Sequence, residues 1–188
     1  MYPSVFNPTD YYSSELFADF VLRLGRLDNK HILDLGCGSG IISIFAASIG
    51  AECIAADINP EAVKTTNENA ELNGLEHKIN VIESDLFGNI NQSFDFIFFN
   101  PPYYPKEPKT AFEKAFNAGE DYRVIKEFAS QVKNHLKQNA VIYMIISSDM
   151  DIEALKNIFI NNSLSFNFAE THKRFFETFY IVKALKQL

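Results

Sequence analysis

The sequence predicts an α/β fold: a doubly wound, mostly parallel sheet that closes with an antiparallel strand. Three observations predict it. Short apolar runs alternate with stretches of helical periodicity along most of the chain, the pattern of successive βαβ units. Most of these runs are apolar without a polar alternation, as expected of strands covered on both faces. The last two runs follow each other with no helix between them, so they form a hairpin rather than a crossover.

The elements follow in order. Ser13 or Ser14 can cap a first helix, whose apolar residues Leu16, Phe17, Phe20, Val21 and Leu24 recur at helical spacing. His31 to Leu35 is the first strand and breaks off at Gly36. Ile41 to Ile49 is a helix that stops at Gly50. Glu52 to Asp57 is the second strand, and Pro60 opens the next helix where proline loses no hydrogen bond. That helix ends near Asn73-Gly74. Lys78 to Glu83 and Phe94 to Phe99 are two more buried strands, the latter followed by a proline-rich loop from Asn100 to Lys109. Val124, Phe128, Val132 and Leu136 mark a helix from about Asp121 to Lys137. Ala140 to Ile146 is a strand and Ile152 to Ile160 a helix. Leu164 to Glu170 and Phe175 to Ala184 complete seven strands.

The 188 residues form one domain, with no internal repeat, low-complexity tract or flexible linker. No run is long and apolar enough to span a bilayer, no secretion signal is evident at the start, and no membrane role is expected. Cys37 and Cys53 suggest neither a disulfide framework nor a zinc site, so a reduced, cytoplasmic setting and no bound metal are expected. A net charge of −7 argues against a broad basic face for nucleic acid. Lys106, Lys109 and Lys114 are diluted by Glu107 and Glu113, as on a solvated loop and helix face. His31, His77, His135 and His172 are scattered and read as surface or structural residues.

The first strand runs through Asp34-Leu35-Gly36-Cys37-Gly38-Ser39-Gly40 straight into a helix. Glycines at these spacings permit a tight turn that a ligand can approach closely. They are spaced G-x-G-x-G, not the G-x-G-x-x-G of dinucleotide sites. Asp34 beside the loop suits a ligand ammonium group and would repel a pyrophosphate. Asp57, ending the second strand, can accept the hydrogen bonds of a ribose diol; a helix cap near Pro60 is its plainer reading. Asp85, after Ser84, can accept from an adenine amino group, its plainer reading being a turn residue. Ammonium, ribose and adenine, met in that order, describe S-adenosylmethionine.

The fourth strand ends in Asn100-Pro101-Pro102-Tyr103. An amide or exocyclic base nitrogen is a poor nucleophile because its lone pair is delocalised. Hydrogen bonds accepted from both its N–H groups, by the Asn100 side-chain oxygen and the Pro101 carbonyl, would turn that lone pair out of plane. Proline stiffens the carbonyl's direction, and Tyr103 offers a flat face for a planar group. No general base is evident, and none is needed if the proton leaves after transfer.

These segments, with Asp57-Ile58-Asn59-Pro60-Glu61-Ala62, resemble the class I S-adenosylmethionine-dependent methyltransferases of the small methyltransferase group, over roughly residues 5–185. The Asn-Pro-Pro-Tyr motif narrows the resemblance to amino-group N-methyltransferases. Val5-Phe6-Asn7-Pro8 and Ala118-Gly119-Glu120 make it most similar to compact release-factor glutamine methyltransferases that lack an N-terminal helical domain. The resemblance implies a Rossmann-like seven-stranded sheet in a single 1–188 domain, with residues 1–28 as a helical segment packing over the cofactor. It implies cofactor contacts from Asp34, Gly36, Cys37, Gly38, Gly40, Asp57, Ile58, Ser84, Asp85 and Asn100. Asn100, Pro101, Pro102 and Tyr103 become the candidate catalytic residues. Relatives carry acidic residues after the proline matching Pro8, where this chain reads Thr9-Asp10-Tyr11-Tyr12; Glu120 replaces the second of two expected glycines. The implied substrate is a glutamine in a release-factor-like protein. An exocyclic amine of RNA or DNA (adenine N6 or guanine N2) and a small molecule stand as alternatives. Some compact relatives also need a small zinc-binding partner.

Overall fold

The computed structural model describes residues 12–110 and 112–187. Seven strands, β1 (His31–Leu35), β2 (Glu52–Asp57), β3 (Ile79–Glu83), β4 (Phe94–Phe99), β5 (Leu136–Ser147), β6 (Asn167–Lys173) and β7 (Thr178–Ala184), form one sheet in the order β3-β2-β1-β4-β5-β7-β6. The first five pair in parallel; β7 runs antiparallel to both β5 and β6. Helices α1 (Tyr12–Arg23), α2 (Ile41–Ser48), α3 (Pro60–Leu72), α4 (Arg123–Gln131) and α5 (Ile152–Asn161) cover its faces.

Two apolar cores sandwich the sheet. Leu33, Ile97, Ile142 and Val182 point into one, with Phe128 and Phe159 from α4 and α5. Ile32, Phe98, Ile145 and Ile181 point into the other, with Phe17 and Val21 from α1 and Ala46 from α2. Alternate residues of one strand thus feed opposite cores, which is why these strands carry no polar alternation. The strand order reverses between β1 and β4, and ligands of open α/β sheets bind beyond the strand carboxyl ends at that point.

Three local expectations are corrected. Helix α1 is already under way at Tyr12, so Ser13 and Ser14 lie inside it, buried, and do not cap it. The helix expected to reach Lys137 ends at Gln131 and tightens into a 3-10 turn over Val132–His135. Leu136, though in helical phase, instead begins β5 and pairs with Phe94. Of the segment from Pro8 to Tyr12, which the resemblance closes over the cofactor, all but Tyr12 lies outside the described residues.

Candidate active site

A cavity of about 920 Å³ opens at the carboxyl ends of β1, β2 and β4, within the range of small-molecule sites. Its two ends are built differently. At the first, Gly40 closes the glycine loop and starts α2 in a left-handed conformation, φ 78°, with no side-chain cap of its own. A Cβ at Gly40 would lie 2.6 Å from the Thr66 methyl, so neither the turn nor its packing on α3 admits a side chain. The capping task passes to Asp34. Its Oδ2 accepts from the Ser43 N–H at 3.0 Å and the Ser43 hydroxyl at 2.7 Å. A carboxylate there satisfies an orphan donor and faces the positive end of the helix.

Asp34 is 3% exposed, and burial pushes its pKa up from 3.8 to about 6, against the pull of Ser43. Asp57 sits at the end of β2. Its Oδ2 accepts from Gly38 N–H and its Oδ1 from Asn59 N–H, both at 2.9 Å. Burial raises its pKa as well, despite those donors. It is not the cap of α3, a role Asn59 fills by accepting from Glu61 N–H at 3.0 Å. Neither Asp34 nor Asp57 has a cationic partner among the described residues. A carboxylate has about four acceptor positions, so Asp57 keeps capacity for a ligand beyond its backbone donors.

At the other end, Asn100 to Tyr103 leave β4 along the cavity wall. The Tyr103 hydroxyl donates to Asn100 Oδ1 at 3.2 Å, a long bond that orients the amide. Half-buried Tyr103 packs against both cores, at the seam where the two layers meet. Burial holds its hydroxyl well above the ordinary tyrosine pKa; a hydrogen bond to Ser13 opposes this, and the Glu177 carboxylate adds to it. The hydroxyl therefore stays a donor. The loop beyond folds back on itself: Tyr104 N–H donates to Phe116 O, Ala118 N–H to Tyr104 O, and Gly119 N–H to Lys106 O. Glu107 ties this lasso to α4 by accepting from Glu120 N–H at 3.1 Å and Arg123 Nη2 at 3.0 Å. Asp121 and Tyr122 both have positive φ, 51° and 59°. Such strain persists only where surroundings over-determine it; here the Tyr122 hydroxyl accepts from Asp151 N–H at 2.8 Å.

Every site residue named from the sequence lines this one cavity except Gly40, which stands behind the loop against Thr66. Ser84 is buried and works locally, donating to Leu86 O and accepting from Asn89 N–H. Asp85 and Ile58 are exposed at the rim. Cys37 is buried 3.4 Å from the Thr66 hydroxyl, and burial beside two carboxylates keeps its thiol protonated. Sequence reasoning missed the walls supplied from afar: Phe17 of α1, Arg123 of α4, and Arg174, Glu177 and Phe179 around the β6–β7 turn. No local signal marks these, because their role exists only once the chain has folded back.

The fold and this site define a doubly wound methyltransferase. The chain belongs to the methyltransferase small domain family, which it matches over residues 9–175. Its relatives include a protein N5-glutamine methyltransferase of Methanocaldococcus jannaschii, 38% identical over an alignment of 157 positions that covers 79% of this chain and 75% of that protein. Ribosomal RNA small subunit methyltransferase C of Haemophilus influenzae is 30% identical over an alignment of 162 positions, which covers 82% of this chain but 44% of that longer protein. In fold, the chain is similar to one from the E. cuniculi Mtq2–Trm112 complex, responsible for methylation of the eRF1 translation termination factor. The TM-score is 0.76, with 23% identity, over 98% of this chain and 99% of that one.

S-adenosylmethionine is the methyl donor of this family, and the cavity's first end fits it. Buried Asp34 and half-buried Asp57, with no cationic partner among the described residues and beside a loop that presents backbone rather than side chains, suit a cationic ligand with a diol. A pyrophosphate would meet both charges.

Proposed function

We propose that this enzyme methylates the side-chain nitrogen of a glutamine in a protein of the translation-termination class. The charge of the cavity carries this choice. Among the described residues its lining holds five carboxylates, Asp34, Asp57, Asp85, Glu127 and Glu177, and two guanidiniums, Arg123 and Arg174. Arg123 is paired with Glu107, and Arg174 lies 3.7 Å above the Tyr12 ring. Beyond the three aspartates of the cofactor end, Glu127 and Glu177 offset both guanidiniums, which leaves no net positive lining to grip a phosphate backbone and suits a neutral peptide amide. The names of the M. jannaschii relative and the Mtq2–Trm112 complex support the same substrate.

In this reading Asp34, Asp57 and Asp85 hold the ammonium, ribose and adenine groups of the cofactor. When bound, S-adenosylmethionine supplies a methyl group on a positively charged sulfur. Asn100 Oδ1 and the Pro101 carbonyl accept from the two N–H groups of the glutamine amide and turn its lone pair toward the cofactor end. Tyr103 fixes the Asn100 rotamer and walls the amide on one side. The gain comes from positioning. The proton leaves the nitrogen after transfer, so no buried base is required. A small activating subunit is part of the proposal, on the likeness to the Mtq2–Trm112 complex.

Incubating the purified enzyme and methyl-labelled S-adenosylmethionine with extract of a strain lacking the gene tests the substrate class. Label that resists nuclease and is lost to protease, with methylglutamine found by mass spectrometry, is the expected result. The ribosomal RNA relative favours a second reading, and nuclease-sensitive label would establish it instead.

A further inference from the structure

The turn between β6 and β7 carries a feature that methyl transfer does not use. Arg174 N–H donates to Glu177 O at 2.8 Å, so the hairpin closes with a two-residue loop made of Phe175 and Phe176. Such loops favour Asn-Gly, Asp-Gly or Gly-containing pairs, whose backbones match the strand twist. Two phenylalanines serve no turn requirement, and neither packs into a core: they are 97% and 100% exposed. Paired exposed rings invite association unless something covers them.

The base of the same turn is fixed to the cavity. Arg174 stacks over Tyr12, Glu177 hydrogen-bonds the buried Ser147 hydroxyl, and Ser148 and Thr178 exchange hydrogen bonds at 2.8 and 3.0 Å. Arg174 and Glu177 line the cavity wall together with Tyr103. The rings are therefore held out rigidly beside the mouth through which an acceptor side chain must pass. Lys173 and Arg174 against Glu177 leave this turn with one net positive charge on a chain of net charge −7.

We infer that the Phe175–Phe176 tip is the docking element for the protein substrate, seating in an apolar cleft with an acidic flank beside the acceptor glutamine. This rests on the proposed protein substrate. Rigid presentation of two aromatic rings lowers the ordering cost of binding, and aromatic and arginine anchors dominate protein interfaces. The tip thus contributes recognition, while Asn100 and Pro101 act on the amide.

The test uses the full-length enzyme and purified release factor of the same host as substrate. Phe175→Ser/Phe176→Ser should raise the KM for the release factor about 10-fold or more, because it removes binding that is the same in ground and transition states. The kcat should stay within about 2-fold, and calorimetric affinity for S-adenosylmethionine should be unchanged. Phe175→Leu/Phe176→Leu should restore most of the KM. An unchanged KM, or a fall in kcat at constant KM, overturns the docking role while leaving the glutamine reading intact. If wild-type enzyme labels only nuclease-sensitive material, the glutamine reading fails and the docking role falls with it.

Discussion

Asp34 and Asp57, at one end of the cavity, are held by backbone N–H groups of the glycine loop and the chain around it. Asn100 and Tyr103, at the other, hold each other. The first arrangement is local: strand, loop and helix follow in sequence, and the turn geometry fixes the carboxylates. The second is assembled from α1, the loop after β4, the start of α4 and the β6–β7 turn, which meet only in the folded chain. A family that keeps one cofactor and changes its acceptors is served by this division. In the proposed reading the invariant ligand meets a preformed frame, and the variable one meets elements that can change independently.

Substitutions should separate the two ends, and the largest effect is expected at Asn100. Asn100→Ala should lower the rate of transfer by about 100-fold or more, the scale of losing one hydrogen-bonding group aimed at the reacting centre. Calorimetry should find cofactor affinity nearly unchanged; if affinity collapsed instead, Asn100 would belong to the cofactor end. Asp57→Ala should do the reverse, weakening cofactor binding about 10- to 100-fold, as expected for a charged hydrogen-bonding group. The acceptor KM should move little, and an unaltered cofactor affinity would remove Asp57 from the ribose role.

The pH dependence should sharpen the same contrast. Asp34 has its pKa raised by burial to about 6, so the protonated form prevails only below about pH 6. A raised carboxyl contributes stability that is full below its unfolded pKa and is lost as pH rises through the folded value. The displacement from 3.8 to about 6 corresponds to about 3 kcal/mol. Stability of the empty protein should therefore decline between about pH 4 and 6 from this group. Binding of a cationic cofactor should tighten over the same upper range, as the carboxylate forms. Calorimetric titrations at pH 5 and pH 7.5 would test this, and equal affinities would place the cofactor's ammonium elsewhere. The smallest effect is expected at Glu107, whose ion pair with Arg123 is half-exposed. Glu107→Gln should lower kcat/KM only about 2- to 3-fold and leave the melting temperature nearly unchanged, since solvent screens such exposed pairs. A larger loss would show that the lasso after β4 depends on that contact.

The same division governs what the sequence reveals. The limits of β1, β2 and β4 are readable because buried parallel strands are apolar runs bounded by Gly, Asp or Asn. The glycine loop and its ordered acids are readable because each sits at the end of such a run. The end of α4 is not, since Leu136 continues the helical period and only pairing with Phe94 draws it into β5. Nor does anything near Arg174 and Glu177 announce a cavity wall, because their neighbours at the site are Tyr12 and Tyr103. Periodicity reports what an element buries, not what it meets.

The carboxylate that closes the first turn of α2 also faces the cavity. Ligand charge and helix end therefore draw on one group. A cation bound at the cavity would hold Asp34 ionised and strengthen its grip on the Ser43 amide, so that amide becomes an internal gauge of occupancy. Its hydrogen exchange should slow when the cofactor binds, well before any acceptor arrives, making α2 the part of the fold that registers whether the enzyme is loaded.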